Sequence, residues 1–243
     1  MRSVEGSDAA IDGVPVVTEA FPRTVRLVAT ARLREPVLAP LVDGEEELKL
    51  LAEIEGATST RLIAEDRGIS GLAANELVHD VPHASFINAS FAYAKPRQPN
   101  RFNGANRGAW YAALAVTTCL REVAYHLASA LADAGDFDAT VEYAEMFASL
   151  AGDFLDLRQA PGHASLDPDI GRAYPVGNAL AESARAAALN GIIYPSVRDP
   201  RGTCIAALRP AAVQSVRQGA IYRMTWKGDP VPQVEGPLRG PSA

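Results

Sequence analysis

The chain has 243 residues, of which 48% are hydrophobic and 21% charged, and its formal net charge is −6. This composition is typical of a globular protein and excludes a disordered or fibrous chain. The basic residues are dispersed, which disfavours a nucleic-acid partner, because neutralising phosphates requires clustered Lys and Arg.

The cysteine and histidine content argues against a metal site, and the lack of a long apolar run argues against a membrane-spanning segment. Two cysteines, Cys119 and Cys204, and four scattered histidines give neither zinc spacing nor a disulfide framework. The N-terminus has no basic region followed by an apolar stretch, and nowhere do about 18 apolar residues run unbroken. We therefore expect a cytoplasmic protein with no metal and no membrane partner.

The N-terminal segment, residues 1–57, is predicted to be an extension with one helix. Asp43 is placed to cap a helix from Glu45 to Glu55, and Gly56 ends it. The forty residues that come first are predicted to be irregular because four prolines interrupt them, at Pro15, Pro22, Pro36 and Pro40.

Residues 58–226 are predicted to form one catalytic domain. Its first half has a short strand over 60–64, a loop-rich stretch over 68–100 and a buried strand over 109–113. A helix should begin at Thr117 or Thr118 and end near Gly135. Its apolar stripe comprises Leu120, Val123, Ala124, Leu127 and Leu131.

The second half of this domain should add a second helix, capped by Asn178 and ending at Asn190 and Gly191. A loose tail should follow over 227–243. Helices inserted between strands without regular alternation predict an α+β fold with a mixed β-sheet core. The predicted strands cover residues 140–149, 154–157, 192–197, 204–208, 213–216 and 220–226.

Polar residues interrupt otherwise apolar elements in three places. These are the run from Arg101 to Gly104 that leads to Tyr111, the helix segment around Glu122, and the strand from Gly191 that ends at Ser196. Each has an ordinary interpretation: Glu122 lies opposite the apolar stripe, where a solvated side chain is expected. Arg101 could be a surface charge, Tyr111 a core aromatic and Ser196 a turn residue.

In this order, the three pieces resemble the RES domain, a family named for its Arg, Glu and Ser residues. The family pattern has an Arg before an aromatic residue, a Tyr flanked by Ala, a Glu about one turn into a helix, and a Gly-Ile-x-Tyr-x-Ser strand. The corresponding residues here are Arg101, Tyr111, Glu122 and Ser196. The resemblance covers residues 58–226, and its specificity comes from the ordered set. The N-terminal extension and the long insertion between Arg61 and Arg101 depart from compact members.

The resemblance implies a fold like that of the mono-ADP-ribosyltransferases and a role as the toxin of a bacterial toxin–antitoxin pair. It also implies NAD⁺ as the substrate, a cognate antitoxin as a partner, and no metal. The longer members are similar to ParT-type toxins, which transfer ADP-ribose to a host protein, for instance an enzyme of nucleotide metabolism.

Roles for individual residues follow from the resemblance and from the chemistry of NAD⁺. Cleavage of the nicotinamide–ribose bond develops positive charge on the ribose, which a carboxylate such as Glu122 stabilises. Arg101 is the first candidate to bind the pyrophosphate and Arg61 the second, because a guanidinium pairs with phosphate oxygens. Tyr111 would contact the nicotinamide. Ser196 would orient a ribose or phosphate oxygen, and Asn103 completes the predicted NAD⁺-binding set.

Three functions remain open from the sequence: an ADP-ribosyltransferase acting on a host protein, an NAD⁺ hydrolase or phosphorylase, and a binding module without activity. The four polar positions are all retained, which argues against the third. We favour transfer, because the segment up to Gly56 and the stretch 68–100 would have no catalytic task in a hydrolase. The alternative is that these additions cover the sheet or seat the antitoxin.

Overall fold

A computed structural model describes residues 10–32, 72, 74–92 and 99–238 of the chain. The predicted helix over 45–55, the predicted strand over 60–64 and the candidate Arg61 lie outside the described residues. The division of the chain at residue 57 also stays a prediction.

The described residues form one mixed sheet with three α-helices. The helices are α1 (Ala84–Ala92), α2 (Val116–Ala134) and α3 (Ile170–Ala186). The strands are β1 (Ala10–Ile11), β2 (Val14–Ala29), β3 (Trp110–Ala113), β4 (Asp138–Asp156), β5 (Gly191–Pro195), β6 (Thr203–Ala207), β7 (Val213–Lys227) and β8 (Gln233–Leu238). Short 3₁₀ turns cover Thr30–Arg32, Ala74–Glu76, Ala164–Leu166 and Pro210–Ala212.

The sheet has the order β1-β2-β3-β6-β5-β4-β7-β8, and β2 pairs with β4 as well as with β3. Strands β2, β3, β6, β5 and β4 therefore close into a ring, while β7 and β8 extend it beyond β4. The β4–β5 pair is parallel and the other pairs are antiparallel. This arrangement confirms the predicted α+β fold with a mixed sheet.

The prediction of irregular structure over the first forty residues is wrong where the structure describes them. Strand β2 pairs with β4 from Val16 opposite Leu155 to Ala29 opposite Tyr143. The register shifts between Phe21 and Thr24, so Pro22 falls at an irregularity where a missing N–H is tolerated. Residues 14–29 are thus an integral strand of the sheet.

Three stretches that were predicted to lie outside strands are parts of strands, because glycine and proline interrupt strands less than expected. The predicted strands over 140–149 and 154–157 are one strand, β4, and those over 213–216 and 220–226 are one strand, β7. Within β4, Gly152 has φ +129°, and a Cβ there would lie 2.4 Å from the Asn190 side chain. The tail from Gly228 is not loose throughout, because β8 pairs with β7.

Helix α2 ends as predicted, with Gly135 in the left-handed conformation at its C-terminus. Its start was predicted wrongly: Ala115 precedes the helix and supplies no side-chain cap, while Thr118 is buried in its first turn. Helix α3 begins earlier than predicted, because Asp169 rather than Asn178 caps it by accepting from the Gly171 N–H.

Alternate residues of the central strands β5 and β6 belong to two separate hydrophobic clusters, as the two-residue period of a strand requires. Ile192, Tyr194 and Cys204 belong to the cluster that also contains Leu180 and Ala184 of α3. The second cluster contains Ile193 and Ile205 together with Ile87 and Phe91 of α1. Tyr194 of β5 and Cys204 of β6 therefore lie on the side of the sheet that α3 covers.

Candidate active site

A cavity of about 230 Å³ opens on that side, between α2, α3 and the strands β2, β3, β5 and β6. Three predicted site residues line it: Arg101, Tyr111 and Glu122. Its other polar or aromatic lining residues are Arg26, Asn100, Cys119, His126, Tyr174, Tyr194, Arg198 and Cys204.

Glu122 is half-buried on α2, one turn after the buried Thr118 and Cys119. These three residues share a helix face because residues three and four apart are neighbours on a helix. The alternative interpretation of Glu122 as an ordinary solvated side chain is therefore wrong. The apolar stripe was taken for the buried face, but the face carrying Thr118 and Cys119 packs inward.

Ser196 follows β5 and donates its hydroxyl proton to Glu122 Oε1 over 2.5 Å. The same Ser196 Oγ accepts the backbone N–H groups of Arg198, at 3.2 Å, and Asp199, at 2.9 Å. A hydroxyl has one hydrogen and two lone pairs, so two incoming donors leave its hydrogen for the carboxylate. One oxygen of Glu122 is thereby fixed by Ser196, which is itself buried.

Arg101 extends from a loop that α3 holds in place. A Cβ at position 177 would lie 2.0 Å from the Arg101 carbonyl oxygen, so only glycine allows this approach. Asn178, the next residue of α3, donates to the Asn100 carbonyl at 2.9 Å. The Arg101 guanidinium donates to the carbonyls of Ser165 and Asp167. The backbone of residues 165–167 therefore orients the Arg101 guanidinium, and α3 holds the loop that carries it.

Tyr111 reaches the cavity from β3 and is held by its hydroxyl. The hydroxyl donates to Asn103 Oδ1 at 2.9 Å and accepts from the Phe102 N–H at 2.9 Å. Asn103 is buried, with 1% of its surface exposed, and does not line the cavity. Burial raises the pKa of Tyr111 above its ordinary value, so the phenol is neutral.

Sequence reasoning missed several residues that line the cavity, above all Arg26 on β2. Its guanidinium carbon lies 4.7 Å from the ring centroid of Trp110. A charged residue within the apolar run from Val25 to Val28 could have indicated a functional position. It was missed because the prolines led to a prediction of irregular structure there. Arg198 was also missed, although it follows Ser196 by two residues, and its guanidinium stacks 3.5 Å from the Tyr125 ring.

The cavity is positively charged although the chain carries a net charge of −6. Among its described lining residues, three arginines (Arg26, Arg101 and Arg198) outnumber the carboxylate of Glu122. His126 keeps part of its surface in solvent, yet burial lowers its pKa. The charge of Glu122 opposes this shift, while Arg198 and Arg101 add to it. A cavity with this charge favours an anionic ligand.

The two cysteines of the cavity are not activated nucleophiles. Burial raises the pKa of Cys119 to about 12 and raises that of Cys204 further above its ordinary value. A thiolate, rather than a thiol, is the reactive form. Both side chains therefore contribute apolar surface at neutral pH.

The described part of the chain holds neither a cluster of metal-ligating side chains nor a membrane-crossing helix. Within it, no group of three or more His, Cys, Asp or Glu side chains is arranged to hold a metal ion. No helix in the same part of the chain has the length and apolar character needed to cross a membrane.

Comparison with known proteins identifies a family and a similar solved structure. The family model of the RES domain matches residues 77–227, more than half of the chain. Among curated proteins, none matches the chain. A chain in the crystal structure of the M. tuberculosis MbcT-MbcA toxin-antitoxin complex is similar at 18% sequence identity, covering 49% of this chain and 71% of that chain. Its TM-score of 0.36 is too low to support a conclusion.

Proposed function

The chain belongs to the RES-domain family, and we propose that it is an NAD⁺-consuming enzyme that acts as the toxin of a bacterial toxin–antitoxin pair. One observation carries this proposal: Arg101, Tyr111 and Glu122 line a single cavity, and Ser196 is hydrogen-bonded to Glu122. These residues come from a loop, a strand, a helix and a turn, and Ser196 is 74 positions from Glu122 in sequence. Their convergence supports a shared chemical task.

Glu122 is the residue that would stabilise the reacting ribose. When the nicotinamide–ribose bond breaks, the bonding electrons leave with nicotinamide and positive charge develops on the ribose. A carboxylate held beside that charge lowers the barrier, because it needs no reorganisation during the reaction. Ser196 engages Oε1 of Glu122, which leaves Oε2 for the ribose. In this proposal Ser196 acts by orienting Glu122 rather than by contacting the substrate.

The arginines of the cavity would bind the pyrophosphate of NAD⁺. A guanidinium forms paired, charge-assisted hydrogen bonds to phosphate oxygens. Arg101 remains the first candidate, and Arg26 is added because it lines the same cavity from β2. Tyr111 presents a fixed aromatic ring for the nicotinamide, and Asn103 would act through Tyr111. Arg61 stays a candidate from the sequence alone.

We propose that the acceptor of ADP-ribose is a host protein. The reason is no longer the presence of the segment up to Gly56 and the stretch 68–100. Residues 14–29 form β2, and Ile87 and Phe91 of α1 are buried in the core, so both segments have structural tasks. The surface near the cavity gives the better support. Leu114, 45% exposed, follows the lining residue Ala113, and Ile170, 47% exposed, lies one turn before Tyr174. A contiguous exposed apolar patch beside a site marks a protein-binding surface, and in this proposal Leu114 and Ile170 belong to such a patch.

The test is to incubate the purified protein with NAD⁺ labelled in its adenylate half and with bacterial extract. Released nicotinamide measures cleavage, and the position of the label identifies the acceptor. We expect label on a defined protein with the wild type and none with Glu122→Gln. Nicotinamide release with label only on small molecules would replace transfer by hydrolysis or phosphorolysis. A folded wild-type protein that releases no nicotinamide would overturn the proposal.

A further inference from the structure

The two partners of the Ser196–Glu122 hydrogen bond belong to separate elements, the turn over residues 196–202 and helix α2. Asp199 belongs to this turn and is 5% exposed. It accepts a hydrogen bond from Thr118 Oγ1 at 2.8 Å and another from the Arg121 guanidinium, both on α2. The side chain of Asp199 therefore connects the turn that carries Ser196 to the helix that carries Glu122.

The turn itself is closed by its backbone. The Ser196 N–H donates to the Gly202 carbonyl, and the Gly202 N–H donates to the Asp199 carbonyl, each at 2.8 Å. A Cβ at Gly202 would lie 2.5 Å from Thr118 Cγ2, so the turn packs against α2 at a distance that requires glycine. The Asp199 N–H donates to Ser196 Oγ at 2.9 Å. A displacement of Asp199 would thus be passed directly to the hydroxyl that holds Glu122.

We propose that Asp199 and Thr118 are positioning residues, whose hydrogen bond holds α2 against the turn so that Ser196 keeps the Glu122 carboxylate oriented for catalysis. This inference rests on the proposed function, since its effect is on turnover at the same site. Thr118 is 1% exposed and Asp199 does not line the cavity, so both act through Ser196 rather than on the substrate. The Arg121 side chain is about half exposed, so its ion pair contributes less than the buried bond to Thr118.

Thr118→Val removes the hydroxyl and keeps the shape of the side chain. We expect kcat for nicotinamide release to fall roughly tenfold while KM changes little, because small displacements of catalytic groups cost rate rather than ground-state binding. Thr118→Ser should restore most of the rate. Thr117→Val is the matched control, since Thr117 is exposed on the same turn of α2, and it should behave like the wild type.

A double-mutant cycle with Ser196→Ala separates positioning from a general loss of stability. If Thr118 acts through Ser196, Thr118→Val should lower kcat less than twofold further in the Ser196→Ala background. Additive losses would show a purely structural role and overturn the inference, as would an unchanged kcat in Thr118→Val. If Thr118→Val does not fold, the same cycle with Asp199→Ala decides the question by the same two criteria. Wild-type protein is assayed first, and its inactivity would count against the proposed function instead.

Discussion

Glu122 carries the only carboxylate among the described residues that line the cavity. Glu122→Gln keeps the shape of the side chain and an oxygen that accepts from Ser196, but removes the charge that we propose stabilises the ribose. We expect NAD⁺ consumption to fall about 10²–10³-fold, with an unchanged melting temperature. Nicotinamide release and thermal unfolding of both proteins are the measurements. Near-normal turnover of the variant would exclude Glu122 from the mechanism.

Arg101 differs from an ordinary surface arginine because the carbonyls of Ser165 and Asp167 orient its guanidinium. Arg101→Lys keeps the charge but loses the planar fork, and we expect NAD⁺ affinity to fall about tenfold or more. The measurement is a binding titration of NAD⁺ to each protein. Arg172→Lys is the matched control, because Arg172 is highly exposed on α3 and pairs with Asp169. Equal affinities of the wild type and Arg101→Lys would make Arg101 a structural residue.

The order of polar residues in the sequence was enough to nominate Arg101, Tyr111 and Glu122, which the fold brings to one cavity. Their partners could not be predicted, because hydrogen bonds such as Ser196 to Glu122 join residues 74 positions apart. Local periodicity carries no information on such contacts. The hydrogen bond of Asn103 could not be predicted either. Asn103 was predicted to bind NAD⁺, whereas in the folded loop its Oδ1 accepts a hydrogen bond from the Tyr111 hydroxyl.

At the scale of elements, β2 gives the clearest prediction. Deleting residues 1–29 removes a strand that pairs with β4 over most of its length and buries Phe21, Val25 and Val28. Burial of each such side chain is worth about 1.5–3 kcal/mol, and a domain is stable by only about 5–15 kcal/mol. We expect the truncated chain to lose cooperative unfolding and all NAD⁺ consumption, as followed by circular dichroism and nicotinamide release.

Ala20→Ser serves as the control for this truncation, because Ala20 is exposed on the same strand. The substitution should leave both stability and activity unchanged. A truncated protein that still unfolds cooperatively and consumes NAD⁺ would show that β2 is dispensable. It would also remove Arg26 from the proposed NAD⁺ site.

Elements were predictable where a local signal determines them and not where tertiary contacts override it. Gly135 ends α2 because it takes a positive φ, a signal visible in the sequence. The predicted gap between the strands over 213–216 and 220–226 lies within β7. It contains Gly219, where a Cβ would come 2.4 Å from the Phe147 ring. Only the neighbouring strand explains that glycine. Pro22 misled the prediction in the same way, since pairing with β4 tolerates it at an irregularity.

At the scale of the whole molecule, overall charge and site charge have opposite signs. Counting residues gave a net charge of −6 and no cluster of basic residues. The fold nevertheless brings Arg26, Arg101 and Arg198 to one cavity. An acidic surface disfavours non-specific binding to nucleic acids, while the basic cavity attracts a small anion such as a pyrophosphate. Composition alone could therefore exclude one class of partner but could not locate the anion site.

The proposed toxicity is tested in cells, with the intact chain. Expression in bacteria without the cognate antitoxin should arrest growth, because uncontrolled use of NAD⁺ or modification of an essential protein stops metabolism. Glu122→Gln, expressed to the same level, should permit growth, and co-expression of the antitoxin should protect cells that carry the wild type. Growth arrest with an intact NAD⁺ pool and a labelled protein would support transfer, whereas arrest with a depleted pool would support hydrolysis or phosphorolysis. Normal growth of cells from which NAD⁺-consuming protein is recovered would contradict the toxin role. The protein would then be an NAD⁺-consuming enzyme without toxic activity.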